Sequence, residues 1–195
     1  MRAVTVAIAA LLVLAGCAAG PDPAPASSAP SAPVAFDQRL HDELLAMLKR
    51  DQSGRTGGPD TEGDQARTER LKRIVAEHGW PTIPLVGKDG EDAAWAIVQH
   101  ADADPQFQRD MLPLLRAAVA RGQASPGNLA YLEDRVAVAQ GRPQQYGTQM
   151  ACGPTGPQPR TPIADEARVE QRRAAAGLPP LADYLKEMTA VCAQD

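Results

Sequence analysis

The chain has 195 residues, with 24 acidic and 20 basic side chains, a formal net charge of −4 and only three histidines and three cysteines. That balance lacks the basic surface that nucleic acid and anionic lipid headgroups reward, so neither is expected as a main partner. A hydrophobic fraction of 44% is ample for a domain core, and the roughly 160 residues beyond position 34 make one domain of ordinary size.

The N-terminus reads as an export signal. Met1-Arg2 supplies a positive start, and residues 3–14 (AVTVAIAALLVL) form an uncharged apolar run. A helix of that length spans about 18 Å, short of a bilayer core of about 30 Å, which is the size of a signal-peptide apolar region rather than a membrane span. Leu14-Ala15-Gly16-Cys17 follows directly. Small residues at 15 and 16 admit the backbone to a peptidase, and the Cys17 thiol is the acceptor for a diacylglyceryl group; the whole leader resembles a bacterial lipobox signal. The expectation is a leader over 1–16, removed on export, and a lipid anchor on Cys17 that holds the protein on the outer face of the cell membrane. Loss of Arg2 takes the net charge from −4 to −5. Two or more acyl chains give stable attachment where one is marginal. Ala18 is not the aspartate that retains many lipoproteins at an inner membrane, so an outer-membrane position stays open for a Gram-negative envelope. Residues 17–34, rich in proline, alanine and serine, read as an extended tether.

From 35 to 195 the apolar period is helical almost throughout. Phe36, Leu40, Leu44, Met47 and Leu48 predict a first helix over about 35–50, and the four glycines and one proline between Asp51 and Gly63 predict a loop. Leu71, Ile74 and Val75 mark a second helix over about 64–78, stopped by Gly79 and Pro81. Trp95, Ile97 and Val98 mark a third over about 90–101. Asp104-Pro105 and Ser125-Pro126 are cap and first-position pairs that open a fourth and a fifth helix. The fourth carries Phe107, Met111, Leu114 and Leu115 and is expected to bend at Pro113; the fifth ends at Gly141. Residues 145–151, a Gly/Pro-rich turn and Thr161-Pro162-Ile163 then suggest a β-hairpin, followed by helices over about 165–176 and 180–192. The expected fold is a mainly α, single helical domain of six to seven helices with one small hairpin.

With Cys17 assigned to lipid, Cys152 and Cys192 remain, in a compartment where disulfides persist, and a bridge between them is expected. It would close a loop of about 40 residues, worth roughly 3–4 kcal/mol in the chain-entropy model. No G-x-S-x-G, H-E-x-x-H, phosphate-binding loop or dinucleotide fingerprint occurs, so no metal or cofactor is expected. Two polar clusters remain. In the first, Gln99-His100-Ala101-Asp102, His100 lies at a helix C-terminus, where the dipole and nearby carboxylates favour protonation. It is either a general acid or a simple helix-terminal cation. In the second, Tyr131-Leu132-Glu133-Asp134-Arg135, the helix is apolar on two faces. Asp134 and Arg135 are then partly buried and need partners, with Gln149, Arg172 and Arg173 as candidates.

These segments come in a recognisable order: Asp51-Gln52-x-x-Arg55, Gly79-Trp80-Pro81, Trp95 with Gln99-His100-Ala101-Asp102, and Tyr131-Leu132-x-Asp134-Arg135. Tyr146-Gly147-Thr148-Gln149, Pro162-Ile163-x-Asp165 and an arginine pair before Gly177-Leu178 complete it. Together they resemble a bacterial family known as domain of unknown function 6624, across about residues 40–185. The resemblance implies no activity, but it implies that these polar residues share one arrangement. Cys152 and Cys192 stand outside that pattern, in keeping with a bridge added on the oxidising side of a membrane. Two readings of function follow. One is an envelope binding or interaction module without catalysis. The other is an envelope hydrolase using His100 with Asp102 or Asp134, assisted by Arg135, Tyr146 and Gln149, with Gln99 beside them. A purely structural envelope protein is a third.

Overall fold

The computed structural model describes residues 34–193. The leader, Cys17 and the tether as far as residue 33 lie outside the described residues. Among those described, no helix is long and apolar enough to cross a membrane.

Among the described residues, seven α-helices and one antiparallel hairpin make up a mainly α domain: α1 (Gln38–Arg55), α2 (Gly63–His78), α3 (Ile83–Gln99), α4 (Pro105–Ala120), α5 (Pro126–Ala139), β1 (Met150–Gly153), β2 (Gly156–Pro159), α6 (Val169–Ala175) and α7 (Leu181–Cys192). Side-chain oxygens cap three of the helices. Asp37 accepts from the Leu40 N–H, Asp104 from that of Phe107 and Ser125 from that of Asn128, each satisfying a donor that the first turn leaves without a helical partner. Pro105 and Pro126 follow two of these caps, as the sequence predicts. Gly79, Gly141 and Gly177 all take positive φ just past helix ends.

The core is built from one stripe per helix. Leu40, Leu44 and Met47 of α1 meet Leu71 and Ile74 of α2 across Ala94, Ile97 and Val98 of α3. Phe107, Met111 and Leu115 of α4 and Leu132 and Val136 of α5 close it from the other side. Leu114, expected on the α4 stripe, faces outward. Phe36 precedes α1, half-exposed, with its ring against His41.

Three local readings need correction. First, α1 does not stop at 50: it runs through Gly54 to Arg55, so Asp51 and Arg55 are helical. One glycine costs a helix only about 1 kcal/mol, less than the tertiary contacts of Asp51 return. Second, α3 begins at Ile83 but breaks at Gly87 (φ 74°, ψ 167°), and the regular helix resumes near the expected start. Third, the hairpin lies further along the chain. Its strands pair Met150 with Pro159 and Gly153 with Gly156, so the expected turn supplies the second strand. The segment from Gln145, expected as a strand, is instead an irregular loop, while Gln144 forms an isolated parallel bridge to Ile163.

The Cys152–Cys192 disulfide ties this hairpin to α7, as expected from the sequence. The Gln144 side chain, sealed from solvent, completes the region by donating to the carbonyls of Gln149 and Thr161 and accepting the Gln149 N–H. Gly147, at φ 66°, could not be another residue without displacement, since a Cβ there would stand 2.5 Å from Ile163.

Candidate functional site

On α1 the apolar stripe Leu40, Leu44, Met47 continues by one more turn, and at that position stands Asp51, its side chain fully buried. A lone ionised carboxylate there would be costly, so it must be heavily hydrogen-bonded. Gln52 Nε2 donates to it at 2.8 Å, Arg55 donates through both Nε and Nη2 at 3.1 Å, and His100 Nδ1 lies 2.9 Å from Oδ2. His100 caps the C-terminus of α3, so two helices remote in sequence meet in this pair.

The contact with the Asp51 carboxylate favours one imidazole tautomer. A carboxylate can only accept, so a hydrogen bond to Asp51 requires the proton on Nδ1; an unprotonated Nδ1 would set two lone pairs against each other at 2.9 Å. Arg55 Nε donates toward Nδ1 at 3.0 Å as well as to Asp51 at 3.1 Å, so Nδ1 stands between an acceptor and a donor. In that tautomer the proton acceptor of the neutral ring is Nε2, which has no hydrogen-bond partner among the described residues. The ring keeps 23% of its surface and lines a cavity of about 330 Å³ with Asp64, Thr68 and Asp102. Burial holds the His100 pKa below its ordinary 6.5, and the positive charges of Arg55 and Arg135 act the same way against the pull of Asp51. The expectation of a readily protonated helix-terminal imidazole is thus reversed, because desolvation outweighs the helix end and the carboxylate. The shift favours the neutral imidazole.

A second layer holds Arg55. Its Nη2 also pairs with Asp64 at 3.0 Å, and Asp64 in turn meets the buried Arg67 at 2.7 Å. Arg67 takes both oxygens of Asp60 at 2.8 Å, which keeps the Asp60 carboxyl far below the usual range. Paired forks of this kind fix direction as well as charge. A hollow of about 390 Å³ on this side is lined by Asp51, Arg55, Asp60, Asp64 and Arg67.

The residues expected from the sequence separate into two groups. His100, Asp102, Arg135 and Gln149 line adjoining clefts, with Asp102 common to both. Asp102 does not pair with His100; it accepts from Arg135 Nη1 at 2.8 Å. Burial, followed by the neighbouring charge of Arg160, lowers the Arg135 pKa against the pull of Asp102. Asp134 lies elsewhere, fully buried, and accepts the backbone N–H groups of Gln145, Tyr146 and Thr148 and the Thr148 hydroxyl. It has no bond to His100, and Arg172 and Arg173 hold the same loop by donating to the carbonyls of Gln145 and Tyr146. Asp134 is a loop anchor. Tyr146 belongs with it: its hydroxyl donates to Glu133, and burial and that carboxylate push its pKa up to about 12. Gln99 is buried in α3, its Oε1 without a partner.

Asp51 opens the set of motifs that carry the family resemblance, but the sequence offers Asp102 or Asp134, not Asp51, as the partner of His100. The signal was present, since Asp51 continues the buried α1 stripe by one turn, but the glycines that follow it made the segment look like a loop.

Fold and site define a mainly α domain with a disulfide-tied hairpin and a sealed aspartate paired with a partly exposed histidine beside a cleft. The chain belongs to the family of unknown function DUF6624, whose model matches residues 38–193. No curated protein and no solved structure matches it.

Proposed function

We propose that this is an exported envelope protein, anchored by lipid on Cys17, whose helical domain is a hydrolase of the acid–base type with His100 as its general base and Asp51 as the residue that orients it. The observation that carries the catalytic part is the 2.9 Å contact between His100 Nδ1 and the sealed Asp51 carboxylate, with Nε2 left unpartnered on a ring that lines a cavity. Of the readings open to the sequence, catalysis is the one that such a pair favours.

The chemistry follows from the geometry. Nε2 takes a proton from a water as its oxygen bonds to the electrophilic centre of an ester-type substrate. Asp51 stabilises the imidazolium through the Nδ1–H contact. The same proton then passes from Nε2 to the leaving oxygen as its bond breaks. General-base catalysis of this sort contributes roughly 10²–10⁴-fold. Asp102 and Asp134, the carboxylates first paired with His100, take no part in the proton transfer.

The test is a panel of chromogenic carboxyl and phosphoryl esters presented to the full-length protein in detergent. Loss of a shared activity by about 10²-fold or more in His100→Ala and Asp51→Asn, with circular dichroism unchanged, supports the reading. Activity that survives His100→Ala sinks it. Membrane attachment has its own check. The leader composition that motivates it predicts palmitate incorporation in the wild type, lost in Cys17→Ser; labelling that persists in that variant contradicts it.

A further inference from the structure

Beside the His100 cavity, and sharing Asp102 with it, lies a cleft of about 220 Å³ between α4, α5 and the hairpin, lined by Gln108, Arg135, Gln149 and Arg160 over Pro105 and Val138. Its charge does not balance. Two guanidinium groups face one carboxylate, and that carboxylate, Asp102, is 68% exposed and takes only one nitrogen of Arg135. Arg135 Nε is buried with no partner at all. Arg160 forms no ion pair among the described residues; its Nε donates to the Met150 carbonyl, and its terminal nitrogens remain. In a protein of net charge −4, two converging arginines and an orphaned guanidinium N–H are an unusual concentration of unmet donors.

We propose that this cleft binds an oxyanion, a carboxylate or phosphoryl group carried by the substrate, between Arg135 and Arg160. The inference rests on the acid–base reading of His100, since it makes the arginine cleft the recognition half of the same site. Arginine forks match planar carboxylate and tetrahedral phosphoryl oxygens through paired N–H donors. Gln149, held by Thr148 Oγ1 on one side, and Gln108, held by the carbonyls at the end of α3, frame the cleft with fixed amide groups. Arg160 follows directly on β2, and its backbone N–H bonds the Gln149 carbonyl, so the hairpin aims it. An arriving anion would compete with Asp102 for Arg135, which gives the proposal a counter-intuitive sign.

The experiment titrates the full-length protein in detergent with inorganic phosphate and, separately, with acetate, against chloride at equal ionic strength, reading the melting temperature and the Arg side-chain NMR signals. The wild type should respond to at least one oxyanion well beyond chloride, phosphate preference assigning a phosphoryl group and acetate preference a carboxylate. Arg160→Gln, an exposed position that leaves the core intact, should weaken binding about tenfold. Asp102→Asn should tighten it several-fold by releasing Arg135. His100→Ala should leave binding unchanged while removing hydrolysis, so loss of catalysis and loss of anion binding are read separately. A wild type indifferent to both oxyanions, an unaltered affinity in Arg160→Gln, or weaker binding in Asp102→Asn overturns the proposal.

Discussion

Two aspartates, Asp51 near the end of α1 and Asp134 in the middle of α5, are both sealed from solvent, yet they serve opposite ends. Asp134 spends its oxygens on main-chain N–H groups of the loop that leads to the hairpin. Burial raises its pKa, and those same hydrogen bonds hold the rise in check. Asp51 spends its oxygens on the side chains of Gln52, Arg55 and His100, and the last of these opens onto a cavity. Burial alone therefore does not separate a structural carboxylate from a functional one. What separates the two here is that one hydrogen-bond chain ends in backbone and the other in a partly exposed ring that lines a cavity.

The comparison can be broken from the structural side first. Replacing Cys152 and Cys192 together by serine should lower stability by about 4 kcal/mol in urea unfolding, with the loss felt in the hairpin and its loop; the His100 titration should not move. Asp134→Ala orphans three backbone donors and a hydroxyl and should cost about 3 kcal/mol. If that variant is as stable as the wild type, the loop-anchor role is wrong.

A third buried carboxylate sharpens the contrast. Glu91 of α3 is fully buried and held by Trp80 Nε1 at 3.2 Å and Asn128 Nδ2 at 3.0 Å, and forms no ion pair among the described residues. Burial pushes its pKa from 4.5 up to about 7. The fold thus favours the protonated acid: this stabilisation is complete below pH 4.5 and is lost as the pH climbs through about 7. Its full size is on the order of 3 kcal/mol. Glu91→Gln should match the wild type near pH 5 and exceed it near pH 8, in paired urea titrations. An identical pH dependence in the two proteins would show that Glu91 stays ionised.

On the functional side the stability effects shrink while the chemical ones grow. Asp51→Asn keeps the shape but leaves a weaker acceptor for Arg55 and should cost about 1–2 kcal/mol. Removing the negative charge should also lower the His100 pKa further, followed by NMR. His100→Ala should change stability by less than about 1 kcal/mol, since its ring is partly open, and yet abolish activity. Should His100→Ala unfold the domain, the ring is a core element and the contrast with Asp134 collapses.

Much of the fold was legible because helix stripes and caps are local. Asp104-Pro105, Ser125-Pro126 and the glycines at 79, 141 and 177 mark ends by chemistry that acts within one turn, and each is found at a helix boundary. The Cys152–Cys192 bridge was legible by elimination once Cys17 was set aside. The hairpin register was not, because pairing between short Gly/Pro-rich segments is decided by Gln144 and Ile163 and by the tie to α7 rather than by alternation. In the site, His100, Asp102 and Arg135 stood out as polar residues in apolar helices. Their pairings did not, since they depend on which helix ends meet. The direction of the His100 pKa was missed for a related reason: sequence shows nearby charges but not the loss of water around them.

The most direct measurement is the protonation state of the His100 ring, followed by long-range ¹H–¹⁵N NMR of the full-length protein across the acid and neutral range. The account predicts a neutral ring with its proton on Nδ1, a bare Nε2, and a midpoint below 6.5 that falls further in Asp51→Asn. A proton on Nε2, or a midpoint above 6.5, would contradict it.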